Sequence, residues 1–242
     1  MTLAETLAEH ESIWRNRPLL RRLYGDWFDL IIQQLATVEG LTIELGSGFA
    51  PLKDRLPELV ATDVESTPWA DAVVDAHALP YADGALANVI AVDVLHHLAD
   101  PSSFLNELRR ALRPGGRLIA VEPYTSPLST IAYRLFHHEH TNTHVDPFQI
   151  DATLAADAMA GNQALPTILF FRRAREFNER WPELRIVERR RFSFILYPLS
   201  GGFSRRPLIP NAFYRPLRKL EAMLAPAARL LAFRCLVVVE RI

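Results

Sequence analysis

Four carboxylates, Glu44, Asp63, Asp75 and Asp93, recur along one stretch of the chain, and the first stands two residues before the turn Gly46-Ser47-Gly48. The turn follows the strand-like run Leu41–Leu45 and leads into Pro51, a helix opener, so backbone N–H groups and a helix N-terminus converge beside a strand end, the shape of a nucleotide pocket. A dinucleotide fingerprint would want a third small residue where Pro51 stands, and a pyrophosphate gains nothing from a carboxylate at Glu44. A ligand carrying an ammonium and a sulfonium does gain, because a nearby carboxylate favours positive charge and repels phosphate. Asp63 falls at the interval, roughly 20 residues on, that puts an acid on ribose hydroxyls in strand-helix-strand nucleotide folds. Its two oxygens can accept from two adjacent hydroxyls, the alternative being a turn or capping role.

These groups need strands to carry them. The pattern predicts strands at Leu41–Leu45, Leu59–Thr62, Ala72–Val74, Ala87–Val92 and Arg117–Val121, with a short helix from Pro51 to about Leu56. Successive strands ending on Asp63, Asp75 and Asp93 fit a site outside the carboxyl ends of a parallel sheet, where ligands of open α/β folds sit. Between the last two strands, Asp100 and Pro101 open a helix with the apolar positions Phe104, Leu105, Leu108, Ala111 and Leu112, and Pro114-Gly115-Gly116 is expected to stop it.

Together Glu44-Leu-Gly-Ser-Gly, Asp63, Asp75-Ala76, Leu79-Pro-Tyr-Ala-Asp-Gly, Asp93-Val-Leu-His-His97 and Arg110-Ala-Leu-Arg-Pro-Gly-Gly-Arg-Leu resemble the class I S-adenosylmethionine-dependent methyltransferases, type 11 subgroup. The resemblance covers roughly residues 40 to 124, in the family's order and spacing. It departs at Ala50, where the family often has a third glycine, a loss that size alone makes small. The resemblance implies a Rossmann-like α/β fold: a mostly parallel seven-stranded sheet, helices on both faces, the last strand antiparallel and a helical cap at the N-terminus. One domain is expected over 1–242, with the cap at 1–38, the cofactor-binding core at 39–124, and acceptor-side helices with the final strand pair at 125–242.

It also implies roles. Gly46, Ser47 and Gly48 would pass under the methionine part of S-adenosylmethionine, with Glu44 near its ammonium. Asp63 would hold the ribose, Asp75 and the Ala76 backbone the adenine, and Asp93 the methionine end. Val94, Leu95 and His96 would line the meeting point of cofactor and acceptor. By their own positions His96, His97, Glu122 and Tyr124 all fall at strand ends facing that space. Histidine suits the removal of a proton from a hydroxyl acceptor. Two adjacent side chains on a turn rarely face the same way, so one histidine is expected to be packed, and His97 is the first choice as base.

The rest of the chain is less specific. Residues 3–36 read as helix interrupted near Asn16-Arg17-Pro18, with Leu19, Leu20, Leu23, Trp27, Leu30, Ile31 and Leu35 on a broad apolar face. Tyr24 and Trp27 are either part of that packing or a cover over a ligand. The polar run 137–148 offers His140 and His144 as acceptor-loop residues. Their i, i+4 spacing suits a metal, but Asn142 breaks the zinc-protease pattern and no metal is assigned. Residues 165–181 read as a helix and Leu184 to about Tyr197 as a strand. The Arg-rich run 172–191 is interleaved with glutamates and reads as a solvated face. Pro198–Pro210 reads as loop, Asn211–Leu224 and Pro226–Leu231 as helices, and Phe233–Ile242 as the final strand.

A formal net charge of −1 over 242 residues gives no general field for nucleic acid. The single cysteine, Cys235, excludes an intrachain disulfide. No uncharged run approaches the roughly 20 residues of a membrane span and no leader pattern opens the chain, which points to a cytoplasmic protein, as monomer or homodimer, with peripheral membrane contact open to its apolar helices. Amino-methylating enzymes of nucleic acids carry a Pro-Pro-aromatic signature where this chain has Asp93-Val-Leu-His. The acceptor is therefore expected to be a small molecule, a sugar or a lipid-linked intermediate, methylated on oxygen or nitrogen. Two rivals stand beside this reading: a cofactor-binding partner without catalysis, and a nicotinamide-dependent oxidoreductase, against which Pro51, Asp75, Asp93 and the Pro-Gly-Gly run speak.

Overall fold

The computed structural model describes residues 2–136, 141–151 and 160–242. Seven strands, β1 (Leu41–Leu45), β2 (Val60–Asp63), β3 (Ala72–Val73), β4 (Leu86–Val92), β5 (Leu112–Pro123), β6 (Leu184–Phe192) and β7 (Arg234–Arg241), form one sheet in the order β3-β2-β1-β4-β5-β7-β6. The pairs β3–β2, β2–β1, β1–β4 and β4–β5 are parallel, and β7 runs antiparallel to both β5 and β6. The expected mostly parallel sheet with an antiparallel last strand is what the chain builds. The strand order reverses at β1/β4, so the loops after these strands face a common crevice at the carboxyl edge.

The sheet is covered on both faces. One face buries Leu45, Val89, Leu118, Ala120, Cys235 and Val237 under α3 (Pro101–Ala111) and the 165–181 region, and the other buries Ile90, Ile119, Val121, Leu236 and Val238 under α2 (Pro18–Ile32). β4, β5 and β7 carry near-continuous apolar runs because both faces are covered. Before α2 lies α1 (Leu3–Asn16), which opens on a capping box in which the Thr2 hydroxyl accepts from the Glu5 amide while Glu5 accepts from the Thr2 amide. Pro18 lacks the N–H that would continue α1 and instead serves as the first residue of α2. Trp27 is 1 % exposed and Tyr24 is also buried, so the packing reading holds for both.

Several boundaries differ from those read in the sequence. The turn after Gly48 is one 3-10 element, Pro51–Asp54. Helix α3 ends at Ala111 and β5 begins at once, so Pro114-Gly115-Gly116 does not stop a helix. It bulges the strand: Leu112 pairs with Leu86 and the next pair is Arg117 with Asn88. A Cβ on Gly116 would lie within 3.0 Å of the Arg113, Ala87 and Leu86 carbonyl oxygens. The expected helix 165–181 is broken into an α-turn at Leu165–Thr167, a π-helix at Ile168–Arg172 and a helix at Ala174–Arg180. The strand expected to reach Tyr197 stops at Phe192, where Ser193 takes φ 60°, and Leu196–Ser200 then forms a short helix. The helical stretch 211–231 is present as Tyr214–Leu224 and Ala228–Leu231 with 3-10 turns between and before them. Among the described residues no helix is long and apolar enough to cross a membrane.

Candidate functional site

The carboxylates read from the sequence gather at one edge. Glu44 pairs in register with Ala61, and the Thr62 hydroxyl donates to the Glu44 carbonyl at 2.7 Å, locking β1 to β2. The amide of Ser47 donates to the Thr62 carbonyl and that of Gly48 to Asp63 Oδ2 at 3.1 Å, while Asp63 Oδ1 accepts from the Val64 amide. Val74 N–H donates to the Asp63 carbonyl, which fixes the chain just before Asp75. Glu44, Asp63 and Asp75 therefore stand at the ends of three adjacent strands.

The turn that joins them is conformationally demanding. Gly46 and Gly48 have φ of 56° and 58°, and a Cβ on Gly46 would meet Val94 Cγ2 at 2.6 Å. Ala50 also sits in the left-handed region, at φ 52°, so the departure from the family's third glycine is one of backbone strain more than of size. Helix α1 lies against the turn: a Cβ on Gly48 would be 3.4 Å from Leu7, and the Phe49 ring stands 5.7 Å from Trp14 and 5.9 Å from Phe203.

Glu44 is the electrostatic centre. It is 4 % exposed, its Oε2 has no hydrogen-bond partner among the described residues, and neither does the buried Ser47 hydroxyl. Burial, and then the charge of Asp63, push its carboxyl from an ordinary 4.5 up to about 8. Burial raises Asp63 too, against the pull of the Gly48 and Val64 amides. A ligand cation at Oε2 would supply what this acid lacks, so the residues present fit an ammonium-bearing cofactor.

Asp75 and Asp93 already have protein partners. Asp75 Oδ1 accepts from the His77 amide and from its ring Nδ1, both at 2.8 Å, on an exposed side chain. The neighbouring Ala76 is half-buried. Asp93, at φ 59°, pairs with Arg234, the first residue of β7, which is itself 4 % exposed. Arg234 also donates to the Tyr197 hydroxyl at 2.6 Å and lies over the Tyr197 and Trp27 rings. Sequence reasoning missed Arg234. Its signal was a lone charge opening the apolar run Cys235–Val239.

Glu122 is committed as well. Oε1 accepts from the amides of Val94 and Leu95, and Oε2 meets His96 Nδ1 at 2.8 Å, with both side chains buried. One carboxylate thus caps the 3-10 turn Leu95–His97 and orients the first histidine. His97 is half-buried, and its Nδ1 donates to the Ala160 carbonyl at 2.9 Å. The two imidazole rings lie 4.1 Å apart, contrary to the expectation that neighbours on a turn diverge. Asp93, His96 and Glu122 bring ligand atoms within 4.8 Å of one another, but the hydrogen bonds just given already account for the cluster. Tyr124, buried at the end of β5, lines a cavity of about 580 Å³. His144 lies on an exposed turn, its amide donating to Asn142, and His140 falls outside the described residues.

Residues 46–120 match a family model described as a methyltransferase domain. An uncharacterized 37.1 kDa protein in transposon TN4556 of Streptomyces fradiae is 39% identical over 121 residues, 48% of this chain and 33% of that protein, so the match spans about a third of the relative's length. Among solved structures, geranyl diphosphate C-methyltransferase from Streptomyces coelicolor A3(2), in complex with Mg2+, geranyl diphosphate and S-adenosyl-L-homocysteine, superposes with a TM-score of 0.53 at 12% identity. That match covers 92% of this chain and 82% of that one. A SAM-dependent methyltransferase from Archaeoglobus fulgidus gives 0.53 at 13% identity, covering 91% and 94%. At such identities these two structures establish a shared fold.

Proposed function

We infer, from the match of residues 46–120 to a methyltransferase domain model and from the geometry above, an S-adenosylmethionine-dependent methyltransferase acting on a small-molecule, sugar or lipid-linked acceptor. The observation that carries this reading is the buried, unpartnered Oε2 of Glu44 beside Asp63 at the end of adjacent strands. Such a pair is costly to hold empty and is relieved by a cation.

Glu44 takes the ammonium, Asp63 the ribose hydroxyls, and the Gly46-Ser47-Gly48 turn lets the ligand approach the backbone. Asp75 with the Ala76 backbone serves the adenine. Asp93, held by Arg234, shapes the methionine end rather than offering a free charge. The bound cofactor supplies a methyl group on a sulfonium, which is a good leaving group. The protein's task is then alignment, and effective molarities of well-placed reactants remove roughly 7 to 11 kcal/mol of barrier. For a hydroxyl or amine acceptor, His97 receives the proton, being the less buried of the stacked histidines, while Glu122 and His96 hold the turn that presents it.

Calorimetry with S-adenosylmethionine, S-adenosylhomocysteine and NADH tests the reading. Tighter binding of NADH than of S-adenosylhomocysteine overturns it in favour of a nicotinamide enzyme. Binding of S-adenosylmethionine with no methyl transfer across broad acceptor panels favours a non-catalytic partner.

A further inference from the structure

The cavity beside Tyr124 is not part of the cradle just described. Its walls come from the end of β5, the π-helix, β6 and the helix Ala228–Leu231, and they carry three guanidinium groups, Arg172, Arg191 and Arg229, with no carboxylate among the described lining residues. Elsewhere in the same run Arg173 pairs with Asp146 and Glu176, Arg175 with Glu179, Arg180 with Glu176 and Arg185 with Glu240, whereas Arg189 donates to the Phe170 carbonyl. None of the three lining arginines has an acidic partner within the described residues.

Two buried polar atoms in the cavity wall also lack partners among the described residues. Arg191 lies with its guanidinium 4.5 Å from the Phe171 ring centroid and 5.1 Å from that of Tyr124, and its Nε makes no hydrogen bond to a described residue. Thr125 is 5 % exposed and its hydroxyl is likewise unsatisfied. Guanidinium groups match phosphate oxygens in planar, two-pronged geometry, and an added hydroxyl donor completes such a site.

Position ties the cavity to the proposed chemistry. Arg191 and Glu122 both pair with Cys235, one from each side of β7, so they share a sheet face two strand spacings, or about 10 Å, apart. Beyond the arginines the wall becomes apolar. Pro127 opens α4 (Pro127–Phe136), whose Leu128, Ile131 and Leu135 are exposed at i, i+3, i+7 spacing, and Leu230 is exposed at the cavity rim.

The geometry points to an acceptor that is an amphiphilic organic phosphate, its anionic head held by Arg172, Arg191, Arg229 and Thr125 and its apolar body directed along α4. This deepens the methyltransferase reading and rests on it for the word acceptor, whereas the phosphate site itself does not.

Isothermal titration of the full chain with octyl phosphate, octanol and inorganic phosphate tests the site. Octyl phosphate is expected to bind at least about tenfold tighter than either fragment, because charge-assisted hydrogen bonds and apolar burial each contribute. Arg229→Gln and Arg172→Gln, both on exposed side chains that leave the fold intact, are each expected to weaken it several-fold, and Arg191→Gln more, with S-adenosylhomocysteine affinity unchanged throughout. Octyl phosphate bound equally by wild type and the Arg172→Gln/Arg229→Gln double variant overturns the proposal, as does octanol binding as tightly. Tight binding of inorganic phosphate alone would reduce the site to one for free phosphate and overturn the amphiphile. Failure of wild type to bind S-adenosylhomocysteine removes the methyltransferase reading and leaves the octyl phosphate result to be judged by itself.

Discussion

Asp93 and Arg234 form an ion pair that joins the residue after β4 to the first residue of β7, across the strand end proposed to receive the cofactor's methionine portion. The partners are unequal: the Asp93 side chain is 28% exposed and Arg234 only 4%. Removing the acid strands a buried cation, whereas removing the arginine leaves an acid that water can reach. Asp93→Ala is therefore expected to cost about 3–5 kcal/mol, and Arg234→Met about 1–3 kcal/mol. Urea unfolding curves check the order, and equal costs would contradict the asymmetry.

Glu44 makes stability and ligand affinity respond to pH in opposite directions. Its folded pKa of about 8 exceeds the unfolded value of 4.5, so the folded state binds the extra proton between them. The unliganded protein is accordingly most favoured, as far as this group is concerned, below pH 4.5. That contribution is lost as pH rises through about 8. An ammonium beside Glu44 favours the carboxylate, so S-adenosylhomocysteine is expected to bind more tightly, with proton release, as pH rises from 6 to 8. Glu44→Gln should flatten both profiles, raise the unliganded protein's melting temperature at pH 8 and weaken ligand binding. A wild-type affinity independent of pH would exclude Glu44 from the ammonium site.

The glycine turn offers paired tests of backbone strain. Ala50 pays for a left-handed φ that glycine adopts freely, and Ala50→Gly is expected to stabilise the fold by about 1 kcal/mol. Gly46→Ala meets both that penalty and the Val94 methyl, and is expected to destabilise by about 2–4 kcal/mol and to weaken S-adenosylhomocysteine. Thermal unfolding of the two variants should move in opposite directions.

His97→Ala is expected to leave S-adenosylhomocysteine affinity within about twofold and to lower turnover by about 10²–10⁴. Glu122→Gln acts differently, because three hydrogen bonds converge on that carboxylate. It should lower stability by about 1–3 kcal/mol and reduce turnover through disorder of the Val94–His97 turn. Unchanged turnover in His97→Ala removes this histidine from proton transfer.

The parallel half of the sheet was legible because buried parallel strands are nearly uniform in composition and each ends in a marked residue: Leu41–Leu45 before Gly46, Val60–Asp63, and Leu86–Val92 before Asp93 all lie within a residue or two of their expected limits. The boundaries that moved did so where tertiary contacts override local signals. Pro114-Gly115-Gly116 has the composition of a helix stop and is used as a bulge that lets three carbonyls crowd Gly116. The commitments of side chains were less legible still. Nothing in the order of residues tells that Glu122 faces His96, or that Arg234 reaches Asp93 from 141 residues away, since such pairs depend on which strands become neighbours. The arginine run showed the same limit: interleaved glutamates neutralise Arg173, Arg175 and Arg180, whereas Arg172 and Arg191, from two different elements, line one cavity with no carboxylate among its described residues.

The insertion of β7 between β5 and β6 has a bearing on assembly. Strand β6 joins the sheet through β7 alone, so Arg191 acquires its place relative to Glu122 only when the segment 234–241 has threaded between them. A ribosome delivers that segment after both of its neighbours. Until it arrives, neither the Asp93–Arg234 pair nor the juxtaposition of Arg191 with Glu122 can form, so both halves of the proposed site wait on the last strand to be made.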